Sequence, residues 1–375
     1  MSTGQVIVVG AGIVGAACAD ACARAGLGVT VCDAAGLGGG ATAAGMGHLV
    51  VMDDSEAQFA LTQRSQALWR ALAPELPPAA EFAAAGTVWV AADEEEMAEV
   101  ERKHRYYGER GVATTILDAA GLAREEPNLR SGLAGGLLVP GDCVLYAPVA
   151  AAFLLERSGA EVRLGEAVAA IGAGEVRFGS GATLRADVIV NAAGIAAPAL
   201  SPGLPIRARK GHLLITERYP GWLQHQLVEL GYLKSAHSQD GDSVAFNAQP
   251  RPTGQILIGS SRQFGDARPE VDRAMLARML RRASQYMPSL AGLSAIRTWT
   301  GVRATTPDGL PLVGPLAAGG DTSVLIAAGH EGLGITTALA TGELIAAHIT
   351  GKPPAIAPAP YLPARISEEA HGHHG

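Results

Sequence analysis

The sequence predicts an α/β protein. A parallel, nucleotide-binding type of sheet, discontinuous along the chain, is interleaved with an α+β domain built on an antiparallel sheet. Three observations predict this. A strand, a glycine turn and a helix open the chain at 6–33; the same succession returns at 324–351; and between them 211–261 alternates short apolar runs with Gly, Pro and Asp turns. Elements from the two ends belong to one sheet, so the nucleotide domain is expected at 1–82, 146–208 and 300–355. The second domain takes 83–145 and 209–299, with a flexible tail at 356–375.

Composition narrows the function classes first. The 375 residues are 48% hydrophobic and 17% charged, which excludes a disordered chain. With 29 Lys and Arg against 36 Asp and Glu, the net charge is −7, and no long basic run offers a phosphate-backbone surface, so nucleic acid is not an expected partner. Cys18, Cys22, Cys32 and Cys143 lack zinc-ligand spacing and read as core thiols. The apolar opening 6–19 ends at Asp20, short of the ~20 residues of a membrane helix, and no basic segment precedes it as in a signal peptide. The expected location is cytoplasmic, with attachment to the inner face of the membrane as the alternative.

Residues 6–9 read as a buried strand, and Gly10, Gly12 and Gly15 spell G-x-G-x-x-G before a small-residue helix at 16–25. Gly10 permits a tight turn, Gly12 lets backbone approach a pyrophosphate, and Gly15 lets helix and sheet pack closely. Ile13 and Val14, inside the motif, are expected cofactor contacts, the N-terminus of the following helix favours an anion, and Asp33, after the second strand at 29–32, is placed to accept from ribose hydroxyls. These features define a Rossmann-like dinucleotide site; the motif does not separate FAD from NAD. The flexible small-residue run 36–48 would wrap a long cofactor through its backbone and through Thr42, Ala43 and Gly45, with Met46 and His48 set towards its ring.

Next come a helix at 55–72 stopped by prolines, a strand at 86–91 and a charged surface helix at 94–108. A helix at 149–157, strands at 161–164 and 176–178, and the strand 188–191 ending in Ala193 and Gly194 lead back to the first sheet. In 211–261 the clearest strands are HLLIT, SVAFNAQ and QILIGSS, expected to wall the substrate site, and a helix at 272–287 follows. Arg207, Arg209 and Lys210 read as shaping a flavin or protein surface. The strand 324–327 runs into a turn at 329–334 and a long helix, whose N-terminus would face a group that gains negative charge, as a reduced flavin does.

The pieces VIVVGAGIVGAACADACARAG with Asp33, RADVIVNAAG, GVRATTPDGLPLVG and AAGHEGLGITTALATGELIA span nearly the whole chain. Together they resemble the glycine oxidase, D-amino-acid dehydrogenase and sarcosine oxidase superfamily of FAD-dependent enzymes. The resemblance implies a glutathione-reductase-type FAD fold, like that of D-amino-acid oxidase, and oxidation of the Cα–N bond of an amino or N-methyl amino acid. It assigns Arg303 as the clamp for the substrate carboxylate, a role suited to its planar fork. His48 is the second candidate catalytic residue. The expected cofactor contacts further include Val168, Ala193, Gly194, Gly301, Gly329, His330, Gly332, Leu333, Gly334 and Ile335. Some relatives attach flavin through a cysteine near the position of Arg303; none stands there, so noncovalent FAD is expected.

Within the superfamily, GMGHLV, LVPGDC and SVAFNAQPRP look most like dehydrogenases of D-hydroxyproline or related imino acids. That likeness implies cis-4-hydroxy-D-proline or D-proline as substrate, a quinone or redox protein as electron acceptor, and a place as flavin subunit of a larger complex. The alternatives are a glycine or sarcosine oxidase producing hydrogen peroxide, an NAD-dependent dehydrogenase and a nonenzymatic flavoprotein subunit. His371, His373 and His374 in the tail are not expected to hold a structural or catalytic metal.

Overall fold

The computed structural model describes residues 4–231, 241–316 and 323–366. Its first sheet has six strands. From one edge they are β18 (Leu312–Pro315), β19 (Val324–Ala328), β12 (Val188–Asn191), β1 (Gln5–Val9), β2 (Gly28–Asp33) and β8 (Glu161–Leu164). All neighbours run parallel except β18 against β19. Alternation along β1 explains why it reads as an unbroken apolar run. Val6 and Val8 enter the core formed with α1 (Ile13–Arg24), the helix Ala147–Ser158 and the C-terminal helix Gly334–Thr350. Ile7 and Val9 point the other way, against Val176 and Phe178 of a three-stranded sheet, β9 (Val168–Gly172), β10 (Glu175–Phe178) and β11 (Thr183–Arg185).

The second sheet has eight strands. Their order is β17 (Ala295–Thr305), β13 (Arg207–Thr216), β16 (Ile256–Phe264), β15 (Ser243–Pro250), β14 (Gln226–Glu229), β4 (Thr87–Ala91), β6 (Gly135–Val139) and β5 (Thr115–Asp118). One face buries Phe246, Ala248, Ile256 and Ile258 against the helix Arg273–Tyr286, which Asp272 caps through the N–H groups of Ala274 and Met275. The opposite face receives Val50, Val51, Met52 and Phe59 against Trp89 and Val228. The segment linking the first sheet to helix α3 (Glu56–Leu72) therefore lies on the second sheet. Among the described residues, no helix is long and apolar enough to cross a membrane.

Several expectations need correction. Helix α1 starts at Ile13, ahead of residue 16, because the turn closes at Gly12 and Thr42 Oγ1 accepts from Ile13 N at 3.0 Å. The run 36–48 contains a short helix, α2 (Ala41–Ala44), that buries Thr42, so it is not simply a flexible loop. The strands β9 and β11 escaped notice because each is short and half exposed. The domain boundaries at 208/209 and 299/300 fall inside β13 and β17, which pair from Arg207–Thr305 to Thr216–Ala295, and a sheet ladder is not divided mid-strand. The tail is anchored as far as it is described. Tyr361 is 1% exposed with its hydroxyl donating to Ala57 O at 2.7 Å, and Arg365 pairs with Asp308. Its prolines read as flexibility but restrict the backbone, and the aromatic ring supplies the anchor. The tail histidines lie outside the described residues.

Candidate cofactor and substrate site

The first element of the site is the turn between β1 and α1. Gly10 has φ +116°, and a Cβ there would lie 2.4 Å from Ala192 O; a Cβ at Gly15 would lie 1.9 Å from Gly10 O. Both contacts bring helix, turn and the end of β12 closer than a side chain permits. Asn191 stiffens that end of β12 by donating to Ala197 O and Ser201 Oγ and accepting from Ala193 N, which sets Ala193 and Gly194 beside the turn. Asp33 accepts from Ala11 N at 2.8 Å through one oxygen and from Ala35 N and Gly36 N through the other, so it shapes the turn as well as offering remaining lone pairs. Helix α1 has no acidic residue in its first turn and no side-chain cap from Gly12, where a Cβ would fill the gap to Thr42 Oγ1 at 3.1 Å. This cradle suits a phosphate anion.

The second element is the turn into the C-terminal helix. Gly329 lies at its start, and the ring of His330 is buried with Nε2 against Thr341 Oγ1 at 3.1 Å. Burial pushes His330 down to about 4, so it is neutral near pH 7. Leu333 precedes Gly334 and Ile335 at a helix start that has neither a side-chain cap nor an acidic residue in its first turn. Gly332 makes room for Arg303: a Cβ at this position would sit 3.0 Å from Arg303 Cδ.

The third element is the cleft face of the eight-stranded sheet. Trp299, Gly301 and Arg303 alternate on β17, and Asn247 and Gln249 on β15, all towards the segment 44–48. Trp299 Nε1 donates to Ala44 O at 3.3 Å, Gln249 Nε2 donates to Met46 O at 2.7 Å, and a Cβ on Gly301 would come within 2.5 Å of Ala44 Cβ. The Arg303 guanidinium passes over Gly211, whose Cβ would be 2.6 Å from Nη1, and donates to Ser261 O at 3.0 Å. Neighbouring Arg209 is paired with Glu331, which ties the sheet to the glycine turn, while Lys210 is buried beside Asp266; these two basic residues are internal ties. His48, on β3 (His48–Leu49), has its ring against Gln226 through Nδ1 and Asn247 through Nε2, and burial lowers its basicity.

Arg303 and His48 thus share one cleft face, with Gly301, Ala43, Gly45 and Met46 in or beside the intervening segment. Val168 stands apart on β9, half-buried against the Ile7, Val9 and Cys32 core. Ile13 and Ile335 are core residues at their helix starts, and Val14 packs on the same core. Sequence reasoning missed Gln226, Asn247 and Gln249. The signal available was the alternation of amides in an otherwise apolar strand, Asn247 and Gln249 in SVAFNAQ. All four cysteines are buried, and burial raises Cys32 to about 11 and Cys22 to about 12, so they are protonated thiols without the nucleophilic form a covalent flavin link would require.

The two glycine turns with the sheet wall beside them suit a dinucleotide-binding protein, and comparison with known proteins gives its family. Residues 5–348 match the family described as FAD dependent oxidoreductase, and the chain belongs to that family. As a member of that family it is an FAD-dependent oxidoreductase. Over 268 residues it is 34% identical to a D-amino acid dehydrogenase of Methylobacterium nodulans, a match covering 66% of this chain and only 59% of that relative's length. It is 27% identical to the glycine oxidase of Geobacillus kaustophilus over 95% of this chain and 96% of that protein. The crystal structure of glycine oxidase from that organism superposes with a TM-score of 0.86 at 26% identity, covering 97% and 99% of the two chains. An L-proline dehydrogenase from P. horikoshii shares the fold, with a TM-score of 0.87 at 23% identity over 98% and 99%.

Proposed function

We propose that the protein oxidises the Cα–N bond of a D-amino or imino acid, with cis-4-hydroxy-D-proline or D-proline as the preferred substrate. The observation that carries the reading is the setting of Arg303. Its side chain runs between two glycines, Gly211 on β13 and Gly332 before the C-terminal helix, where a Cβ on either would collide with it. That places a planar cation between the sheet wall and the cofactor-side helix, where it would take a substrate carboxylate by two parallel hydrogen bonds. FAD, when bound, supplies a two-electron acceptor for the hydride leaving Cα. The fit is good: the α1 cradle suits the pyrophosphate, Asp33 the ribose, and the uncapped start of the C-terminal helix a ring end that gains negative charge.

The chain's own residues then do three things. Arg303 fixes the carboxylate, the amide-lined face of β15 and the segment 44–48 enclose the reacting carbon, and no strong base is needed for an amine that enters unprotonated. Similarity to D-amino acid dehydrogenases supports a quinone or redox-protein acceptor, and a role as flavin subunit of a larger assembly accords with that. The nearly full-length likeness to glycine oxidase favours a second reading, an oxidase of glycine or sarcosine that forms hydrogen peroxide. Anaerobic mixing with D-proline, cis-4-hydroxy-D-proline, sarcosine, glycine and D-alanine separates them. Fastest bleaching by a cyclic amine, with reoxidation by quinone and little peroxide in air, is the expected result. Equal or faster bleaching by glycine, with rapid peroxide formation, would move the assignment to the oxidase.

A further inference from the structure

His48 has a defined hydrogen-bonding state. Gln226 donates through Nε2 to Cys143 O at 3.1 Å and to Thr87 Oγ1 at 3.3 Å. A main-chain carbonyl only accepts, so the amide orientation is settled and the oxygen is the end that meets His48 Nδ1. Nδ1 must therefore carry the proton, leaving Nε2 with its lone pair. The backbone is held as well: Thr336 Oγ1, in the first turn of the C-terminal helix, donates to His48 O at 2.8 Å. Asn247 directs Nδ2 at Nε2 across a long 3.4 Å, and its Oδ1 is buried without a partner. Burying an acceptor unpaired costs stability unless a ligand supplies a donor.

This pair stands at a definite remove from Arg303. Arg303 Nη1 is on Ser261 O, and Asn247 pairs across the sheet with Gly259. In the backbone, Ser261 and Asn247 stand two residues along a strand and one strand across, about 8 Å, which is on the order of the span of a small amino acid with a hydrogen bond at each end. The wall thus carries a cation that donates at one end and, at the other, the unpaired acceptor Asn247 Oδ1, whose amide is steadied by its Nδ2 contact with His48 Nε2.

Building on the reading of Arg303 as carboxylate clamp, we propose that His48 and Asn247 form a second anchoring point that accepts a hydrogen bond from a donor group of the substrate. The donor is either the amine N–H or a hydroxyl on the side chain or ring. Gln226 is the positioning residue, acting through His48.

The test uses the FAD-loaded enzyme, its Asn247→Ala and His48→Ala variants, and Arg303→Lys as a reference. Anaerobic flavin reduction is measured with D-proline and cis-4-hydroxy-D-proline. Perturbation of the flavin spectrum measures binding of tetrahydro-2-furoate, a proline-shaped carboxylate with neither N–H nor hydroxyl. If the donor is a hydroxyl, wild type should favour the hydroxylated substrate in kcat/KM by about tenfold or more, and Asn247→Ala should bring the ratio near one. If it is the amine, Asn247→Ala should slow both substrates by about tenfold while changing the affinity for tetrahydro-2-furoate less than about twofold. Arg303→Lys should weaken all three compounds together. The proposal is overturned if Asn247→Ala and His48→Ala leave both substrates unaffected, or if they weaken tetrahydro-2-furoate as much as the substrates, which marks a structural role. Absence of flavin reduction by every amino or imino acid would overturn the functional reading and this proposal with it.

Discussion

At the residue scale the decisive feature is shape around a charge. Arg303 is held by the absence of side chains at Gly211 and Gly332, so its position depends on two glycines distant in sequence. Lysine keeps the charge and loses the fork. Arg303→Lys should therefore lower kcat/KM for substrate roughly 10-fold to 10³-fold, or about 1.4–4 kcal/mol of transition-state stabilisation, with FAD content nearly unchanged. Stopped-flow reduction together with flavin absorbance checks this; a variant that loses FAD would show that Arg303 supports the fold. A second outcome belongs to Gly12, where an added Cβ would fill the cradle beside Thr42 Oγ1. Gly12→Val should sharply reduce flavin occupancy, and acid precipitation of wild type should release FAD into the supernatant.

At the element scale, the turn between β6 and β7 (Cys143–Val144) is joined to α3 and to the segment after β3 by Asp142. Its Oδ1 accepts from Gln66 Nε2 at 2.8 Å and Val51 N at 3.3 Å, and the residue is fully buried. Burial raises the carboxyl to about 7 from an ordinary 3.8. The folded state thus holds this proton more tightly than the unfolded chain. The stabilisation is fully present below about pH 4 and is lost as pH rises through about 7, by an amount on the order of 4 kcal/mol. Asp142→Asn keeps the acceptor and removes the titration. Denaturant unfolding at pH 5 and pH 8.5 should show a smaller difference for the variant, which should be the more stable of the two at the higher pH.

At the scale of the whole molecule, the chain leaves the six-stranded sheet after β2, returns for β8 and β12, leaves again for the strands β13–β17 and ends on β18, β19 and the last helix. Each domain is therefore closed by segments far apart in sequence, and the final segment locks the first. Tyr361 is buried in the core with α1 and α3, beside its hydroxyl contact with Ala57. Tyr361→Ala should cost about 3–5 kcal/mol by the usual scale for a buried aromatic, and removal of 356–375 at least as much. Removal of 367–375 alone takes away none of these contacts. Thermal unfolding of the three variants checks the difference, and an unchanged midpoint for the longer truncation would contradict the anchoring.

The sequence by itself determined the local pieces with strong period and punctuation. These include the strand of Val6–Val9, its glycine turn, the capped helices begun by Ser55, Asp93 and Asp272, and the apolar strand Val188–Asn191. Each is fixed by neighbours within a few residues, through burial period, turn geometry or an N-cap. It also supplied Arg303 and His48 as candidates. Only the tertiary structure decided which strands continue past a presumed domain boundary, that a proline-rich end is anchored by Tyr361, and that Gln226 and Asn247 flank the His48 ring. Gln226 and Asn247 lie 178 and 199 residues from His48. Their juxtaposition depends on sheet register and on the packing of one domain against the other, which no local period encodes.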